Sequence, residues 1–173
     1  PSLAFDDSGN PRIAYHDNYS RDLKYAEWDG STWQLEVVES DGDTGFEVSL
    51  AIDSSGTPHI SYYDYTTYQL RYATWDGSGW HRETVAPAGA HRTSTNTCLK
   101  LDSSGAPRIS YYNSPTDAIM YAALDGSTWE IETVESTIWD AGNWNSLALD
   151  AEDSPCISYY LSGSADLKYA AWD

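Results

Sequence analysis

Apolar and polar residues alternate along this chain in short runs. In 49–53, Ser-Leu-Ala-Ile-Asp, Leu50 and Ile52 fall on one face of an extended segment. Runs of this kind recur throughout, each bounded by Asp, Ser and Gly, and none sustains the 3.6-residue apolar period of a helix. The pattern therefore predicts strands and turns only. The strands are copies of one another. Ser2-Leu-Ala-Phe-Asp6, Ser49-Leu-Ala-Ile-Asp53, Cys98-Leu-Lys-Leu-Asp102 and Ser146-Leu-Ala-Leu-Asp150 are offset by 47, 49 and 48 residues. The same offsets carry Pro11 to Pro58, Pro107 and Pro155, and Tyr25 to Tyr72, Tyr121 and Tyr169. Trp33 recurs as Trp80 and Trp129. The repeats are 2–48, 49–97, 98–145 and an incomplete 146–173.

Each repeat reads as four strands. In the second copy, strand A is 49–53, B is 58–64, C is 70–75 and D is 80–85. The A–B turn, Asp53-Ser-Ser-Gly56, has a glycine suited to a left-handed position and an aspartate able to bond the turn backbone. Pro58 fits only a strand start or an edge. A four-stranded antiparallel module of this length, repeated in tandem, predicts an all-β fold of β-propeller blades, with three complete blades and strands A–C of a fourth. One such sheet cannot bury both faces alone; stacking sheets buries them, with the Leu, Ile, Tyr and Trp columns between. An immunoglobulin-like sandwich is the competing all-β reading, and it gives no reason for near-identical copies. Residues 1–173 are expected to form a single propeller arc. It reads first as part of a larger ring, with both ends cuts. A half-ring closing with a second copy and a compact four-bladed ring are the alternatives.

Composition narrows the partners. Nine Lys and Arg against 27 Asp and Glu leave a formal charge of −18. That argues against nucleic acid, which requires clustered cations, and against an anionic membrane surface. No apolar run approaches the ~20 residues of a membrane span. The aromatic content is unusual in kind, with 14 Tyr and 8 Trp but only 2 Phe. Self-repulsion of the acidic chain suits a saline or calcium-rich exterior.

In an up-and-down meander, the A–B and C–D turns share one end of the sheets and the B–C and D–A connections share the other. The first pair is nearly invariant between copies and reads as turn chemistry. The second differs in every copy, so a site is expected there, although drift at unselected loops would look the same. Trp139 and Trp144 lie outside the repeated columns, with Asp140 and Asn143 beside them; Tyr19, Tyr65 and Tyr68 are further loop aromatics. Aromatic faces beside carboxylates and amides suit sugars, and the alternative is that they fill gaps between blades. His91 and Arg92 form a pair able to meet an anionic group, or a surface pair with no role. Asp41 and Asp43, in Glu39-Ser-Asp-Gly-Asp-Thr-Gly45, could contribute to a Ca²⁺ loop, the one cofactor the chain hints at; a solvated acidic loop is the other reading. The four histidines have no paired metal spacing, and Cys98 and Cys156 fall at opposite ends of the sheets, too far apart for a disulfide. No nucleophile elbow, phosphate loop or paired-His motif is present.

The block Ser49-Leu-Ala-Ile-Asp-Ser-Ser-Gly-Thr-Pro-His-Ile-Ser-Tyr-Tyr-Asp64, with Leu70-Arg-Tyr-Ala-Thr-Trp-Asp-Gly-Ser-Gly-Trp80, resembles tandem propeller repeats of secreted or surface-exposed prokaryotic proteins. The resemblance covers essentially the whole chain. Leu23-Lys-Tyr-Ala-Glu-Trp-Asp-Gly-Ser-Thr-Trp33 also resembles repeats of bacterial and fungal propeller lectins, which implies monosaccharide pockets between blades but assigns no residue here. Asp-box sialidase repeats are a third resemblance, with a departure in spacing at Asp29-Gly-Ser-Thr-Trp33. The favoured expectation is an extracellular or cell-surface binding propeller without catalytic residues, its partner a glycan or a protein surface. A self-associating structural protein and a fragment of a glycan-degrading enzyme are the alternatives.

Overall fold

The structure is a computed structural model that describes residues 1–87, 96–136 and 141–172, with the backbone alone at 141–143. It is all-β, of the β-propeller class expected from the repeats. The first sheet holds β1 (Ser2–Phe5), β2 (Pro11–Asp17), β3 (Asp22–Trp28) and β4 (Trp33–Glu39). The second holds β5 (Thr44–Ile52), β6 (Pro58–Asp64), β7 (Gln69–Trp75) and β8 (Trp80–Ala86). The third holds β9 (Thr97–Leu101), β10 (Pro107–Asn113), β11 (Ala118–Asp125) and β12 (Thr128–Ser136). The fourth has three strands, β13 (Ala141–Leu149), β14 (Pro155–Leu161) and β15 (Asp166–Ala171). Every strand pairs antiparallel with the next in its sheet. The sole helical turn among the described residues is one 3₁₀ turn at Ser114–Thr116, where Pro115 has replaced the turn residues of the other copies.

Two compact units contain these sheets, Pro1–Ala88 and Gly89–Asp173. In the first unit, Ala14, Leu23, Tyr25 and Val38 of one sheet meet Leu50, Ile60, Tyr62 and Ala73 of the next. In the second unit, Ile119 and Tyr121 meet Leu147, Ile157 and Tyr159. These are the same repeat columns. The period-2 pattern puts each column on one face, and the face is buried only because another sheet lies on it. A fully buried side chain such as Leu23 or Ile60 contributes about 1.5–3 kcal/mol through removal from water.

The A–B turns behave as their sequence predicts. Asp53 Oδ1 accepts from the backbone N–H of Ser55 and Thr57, both at 2.8 Å, and Asp6, Asp102 and Asp150 do the same in their copies. Gly56 sits at φ 82°, and in the fourth copy Asp153 takes that position at φ 63°. The D–A connections differ from the sequence reading. Strand β5 begins at Thr44 rather than at residue 49, and β13 begins at Ala141. Buried Thr44 Oγ1 accepts from Leu23 N–H and donates to the Glu39 carbonyl, both at 3.3 Å, which pins the segment to the first sheet. The ladder to β6 then shifts register twice, around Gly45 at φ 95° and Glu47 at φ 49°. A Cβ on Gly45 would stand 3.0 Å from the Leu23 backbone, so only glycine fits there.

Candidate functional site

The site with the richest chemistry lies inside the first unit, at the end of the sheets that carries the A–B and C–D turns. Antiparallel pairing sets Arg12 on β2 opposite Glu27 on β3, and Tyr25 opposite Glu36 on β4. The second sheet supplies the other wall: the turn Ser55-Gly56-Thr57, Pro58, and the paired Trp75 and Trp80. Together they line a cavity of about 300 Å³.

Arg12 is the polar centre. Its Nη2 donates to Asp6 Oδ2 at 2.8 Å, and its Nη1 to the Tyr25 hydroxyl at 3.4 Å and to the Glu27 carboxylate. Its Nε is buried and without a protein partner. Hydrogen bonding from Arg12, helped by the Asn10 N–H, holds the Asp6 carboxyl down at about 2. Burial pushes the Tyr25 phenol up to about 12. Burial works against the Arg12 charge, but Asp6, Tyr25 and Glu27 outweigh it and raise its pKa. The guanidinium is thus a fixed cation held by three partners. Trp80 is fixed as well: Nε1 donates to Glu36 Oε2 at 2.8 Å, and the ring stands edge-on to Tyr25 at 5.3 Å and to Trp75 at 5.7 Å. One donor cluster, two carboxylate acceptors and indole surface suit a ligand that carries hydroxyl groups on an apolar ring.

The second unit keeps part of this arrangement. Arg108 Nη2 donates to Asp102 Oδ2 at 2.6 Å, and Tyr121 packs on Trp172 with centroids 5.4 Å apart. Ala123 replaces Glu27, and a cavity of about 310 Å³ is lined by Tyr121, Ala123, Glu130, Ile131 and Glu132. Tyr121 and Glu132 stand in the Tyr25 and Glu36 columns, but this lining comes from the third sheet alone and has no carboxylate in the Glu27 column.

The residues singled out from the loops are dispersed. Tyr19 stands free on its turn, its N–H donated to Asp17 Oδ1 at 2.9 Å. Tyr65 lies flat on Phe46 at 3.9 Å, and Phe46 in turn on His16 at 4.1 Å. Tyr68 occupies a left-handed turn position at φ 58°. Asp43 faces His16 Nε2 at 3.1 Å and Arg21 at 3.9 Å, while Asp41 is exposed. Among the described residues no group of three or more His, Cys, Asp or Glu is placed to hold a metal ion. Trp144 is largely exposed at φ 53°, its ring 6.0 Å from Tyr160. Trp139, Asp140, His91 and Arg92 lie outside the described residues, as does the side chain of Asn143.

Arg12, Glu27, Glu36, Trp75 and Trp80 were not singled out from the sequence, because they sit in repeated strand columns. A signal was present nonetheless. The Arg12 column reads Arg, His, Arg, Cys, and the Glu27 column reads Glu, Thr, Ala, Ala, while their neighbours Tyr25 and Pro11 never change. Variation inside a strand, beside fixed packing residues, marks a position freed from packing.

No family model matches this chain, and no curated protein matches it. Solved structures do match in fold. A fucose lectin from Kordia zhangzhouensis in complex with methyl-fucoside aligns with a TM-score of 0.57 at 21% identity, over 79% of this chain and 99% of the lectin. SapL1 lectin in complex with alpha methyl fucoside aligns with a TM-score of 0.72 at 15% identity, over 99% of this chain and 59% of the lectin. An ulvan lyase, a polysaccharide lyase, aligns with a TM-score of 0.62 at 14% identity, over 100% of this chain and 46% of the lyase. At these identities the likeness is one of fold: this chain is built like the blades of propeller proteins, and it spans about half to three-fifths of the longer two.

Proposed function

We propose that this chain binds neutral glycans, without catalysis, in the cavity between its first two sheets. The observation that carries the reading is the pairing of Arg12 with Glu27 beside Trp80 and Glu36 in a cavity of about 300 Å³. That volume is at the lower end of the ~300–1,000 Å³ of small-molecule sites and suits a single sugar ring. Arg12 supplies donors, Glu27 and Glu36 supply acceptors, and the indoles cover the C–H face. Two carboxylates against one guanidinium disfavour sugar acids, because a ligand carboxylate would meet like charge. The lectins of similar fold support the glycan reading, and such a role belongs at the cell surface or outside the cell. The exposed Trp144 beside Tyr160 is a second aromatic surface within the same reading. The alternative, cleavage of a glycan, needs a carboxyl group free to transfer a proton, whereas Glu27 and Glu36 are each already engaged by a donor.

The test is titration of the chain with methyl glycosides of neutral hexoses and deoxyhexoses, and with sialic and glucuronic acids, by calorimetry and tryptophan fluorescence. Neutral glycosides are expected to bind and to quench Trp80, and Arg12→Ala and Trp80→Ala to weaken binding tenfold or more, about 1.4 kcal/mol. Binding unaffected by either substitution, or acidic sugars binding in preference, overturns the reading. Release of product from labelled glycosides would establish the enzymatic alternative instead.

A further inference from the structure

The charges around the cavity between the first two sheets do not cancel. Among the described residues that line it, Arg12 is the one cation, and Glu27 and Glu36 are anions. Arg12 does not offer a ligand a net positive charge. Its Nη2 donates to Asp6 Oδ2 at 2.8 Å, and its Nη1 to the Glu27 carboxylate. One guanidinium against two carboxylates is net negative. Glu27 is what tips the balance, and it is peculiar to the first copy: its column reads Glu, Thr, Ala, Ala. In the third copy, where Ala123 stands in that column, Arg108 pairs with Asp102 alone.

Glu36 adds a second, separate negative charge. Its Oε2 accepts from Trp80 Nε1 at 2.8 Å, a neutral donor. Among the described residues it forms no ion pair, and its other oxygen has no hydrogen-bond partner. Trp75 and Trp80 line the same cavity. An indole is electron-rich on its faces and attracts a cation placed over it. A carboxylate without a counter-charge, beside two indoles, is therefore suited to an ammonium group. The hydroxyl contacts of a sugar ring remain available from Arg12 and Glu27.

We propose that the sugar this cavity takes best is an amino sugar with a free amine, its ammonium beside Glu36 and the indoles. This rests on the glycan reading above and narrows it: neutral sugars bind, and replacing one ring hydroxyl by an ammonium makes them bind more tightly. Acetylation of the amine removes the charge, so the acetylated sugar has no such advantage. Glu36 is exposed, so its pairing with the amine is partly screened, and an exposed ion pair with one cation–π contact corresponds to roughly fivefold to thirtyfold in affinity.

Calorimetric titration of the 1–173 chain tests this. The ligands are methyl glucosaminide and methyl galactosaminide, their hydroxyl parents, their N-acetyl derivatives, and ethylamine. The pH is about 6, where such an amine is charged, and the salt is about 0.05 and about 0.5 M. Each result is read as the ratio of amino glycoside to parent affinity within one protein. The expected wild-type ratio is roughly five to thirty at low salt, and it shrinks at high salt while the parent changes little. Glu36→Gln keeps an acceptor for Trp80 Nε1 and removes the charge, and should bring the ratio to within about twofold of unity. If that variant binds neither sugar, Glu27→Gln takes its place, since it relieves the excess of carboxylates around Arg12, and it too should lower the ratio. A wild-type ratio near or below one, a ratio indifferent to salt, or one that survives both substitutions overturns the proposal. So does an N-acetyl derivative that matches the free amine, or ethylamine binding as tightly as the amino glycosides. Neutral glycosides that bind with no advantage for the amine overturn this proposal and leave the glycan reading standing; a chain that binds none of the sugars overturns both.

Discussion

The hydrogen bond from Tyr62 to Glu39 is the sharpest test of how the first two sheets are held together. Tyr62, on β6, is fully buried; its hydroxyl donates to Glu39 Oε2 at the end of β4, also buried. Arg71 Nη1 lies 3.3 Å from the other carboxylate oxygen and 3.8 Å from Asp64. Burial first, then the adjacent Glu39, pushes the Tyr62 phenol far above its ordinary range, so it remains a donor at every working pH. Replacing Tyr62 with Phe keeps the ring and removes only the donor to a buried carboxylate. A hydrogen bond to a charged group is worth about 1.5–3 kcal/mol, and Tyr62→Phe should cost that much. The same pair recurs as Tyr159 and Glu135 in the second unit, but Glu135 is half-open to water, so Tyr159→Phe should cost about 0.5–1 kcal/mol. The assay is urea unfolding, with Glu39→Gln and the double variant completing a mutant cycle. A cost for Tyr62→Phe below about 0.5 kcal/mol, or one no larger than that of Tyr159→Phe, would refute the reasoning.

Other consequences are simpler. Gly56→Ala, at φ 82°, should destabilise by about 1–2 kcal/mol, whereas Gly79→Ala, with open space and no positive φ, should be neutral or slightly stabilising; equal melting temperatures would count against this account of the turn. Asp6 is held at about 2 by Arg12, below its ordinary 3.8, and hydrogen-bond donors also lower Asp17, Asp29 and Asp76. The unfolded chain then binds more protons in this range, so the stability these carboxylates provide is complete above pH 3.8 and is lost as pH falls toward about 2. A melting temperature that stays level through that interval would contradict the linkage, and Asp6→Asn should flatten part of the decline. The charge of −18 predicts a melting temperature that rises with ionic strength, which thermal scans at low and high salt would show or deny.

Much of the architecture was legible without coordinates, for a definite reason. Leu3, Leu50, Leu99 and Leu147 share one column, and a period-2 strand assigns a column to a face whatever surrounds it. Asp53 and Gly56 likewise specify their turn locally, through two hydrogen bonds and one left-handed residue, and the structure reproduces both. The site was less legible. Loop variation drew attention to Tyr19, Tyr65 and Trp144, whereas the paired chemistry of Arg12, Glu27 and Trp80 sits in strands. Arg12 and Glu27 are 15 residues apart and meet only because β2 and β3 pair in that register; Trp80 joins them only because a second sheet stacks on the first.

Sequence alone determined the order of the strands and which face of each is apolar, because those properties repeat locally and depend on the backbone period; where β5 and β13 begin was not among them. The tertiary structure alone decided which faces are covered and which polar groups converge. Leu50 and Leu3 have the same neighbours in sequence, yet one is buried and the other open to solvent. Burial and convergence belong to the stacking of one sheet on another, a relation between distant segments that no single repeat encodes.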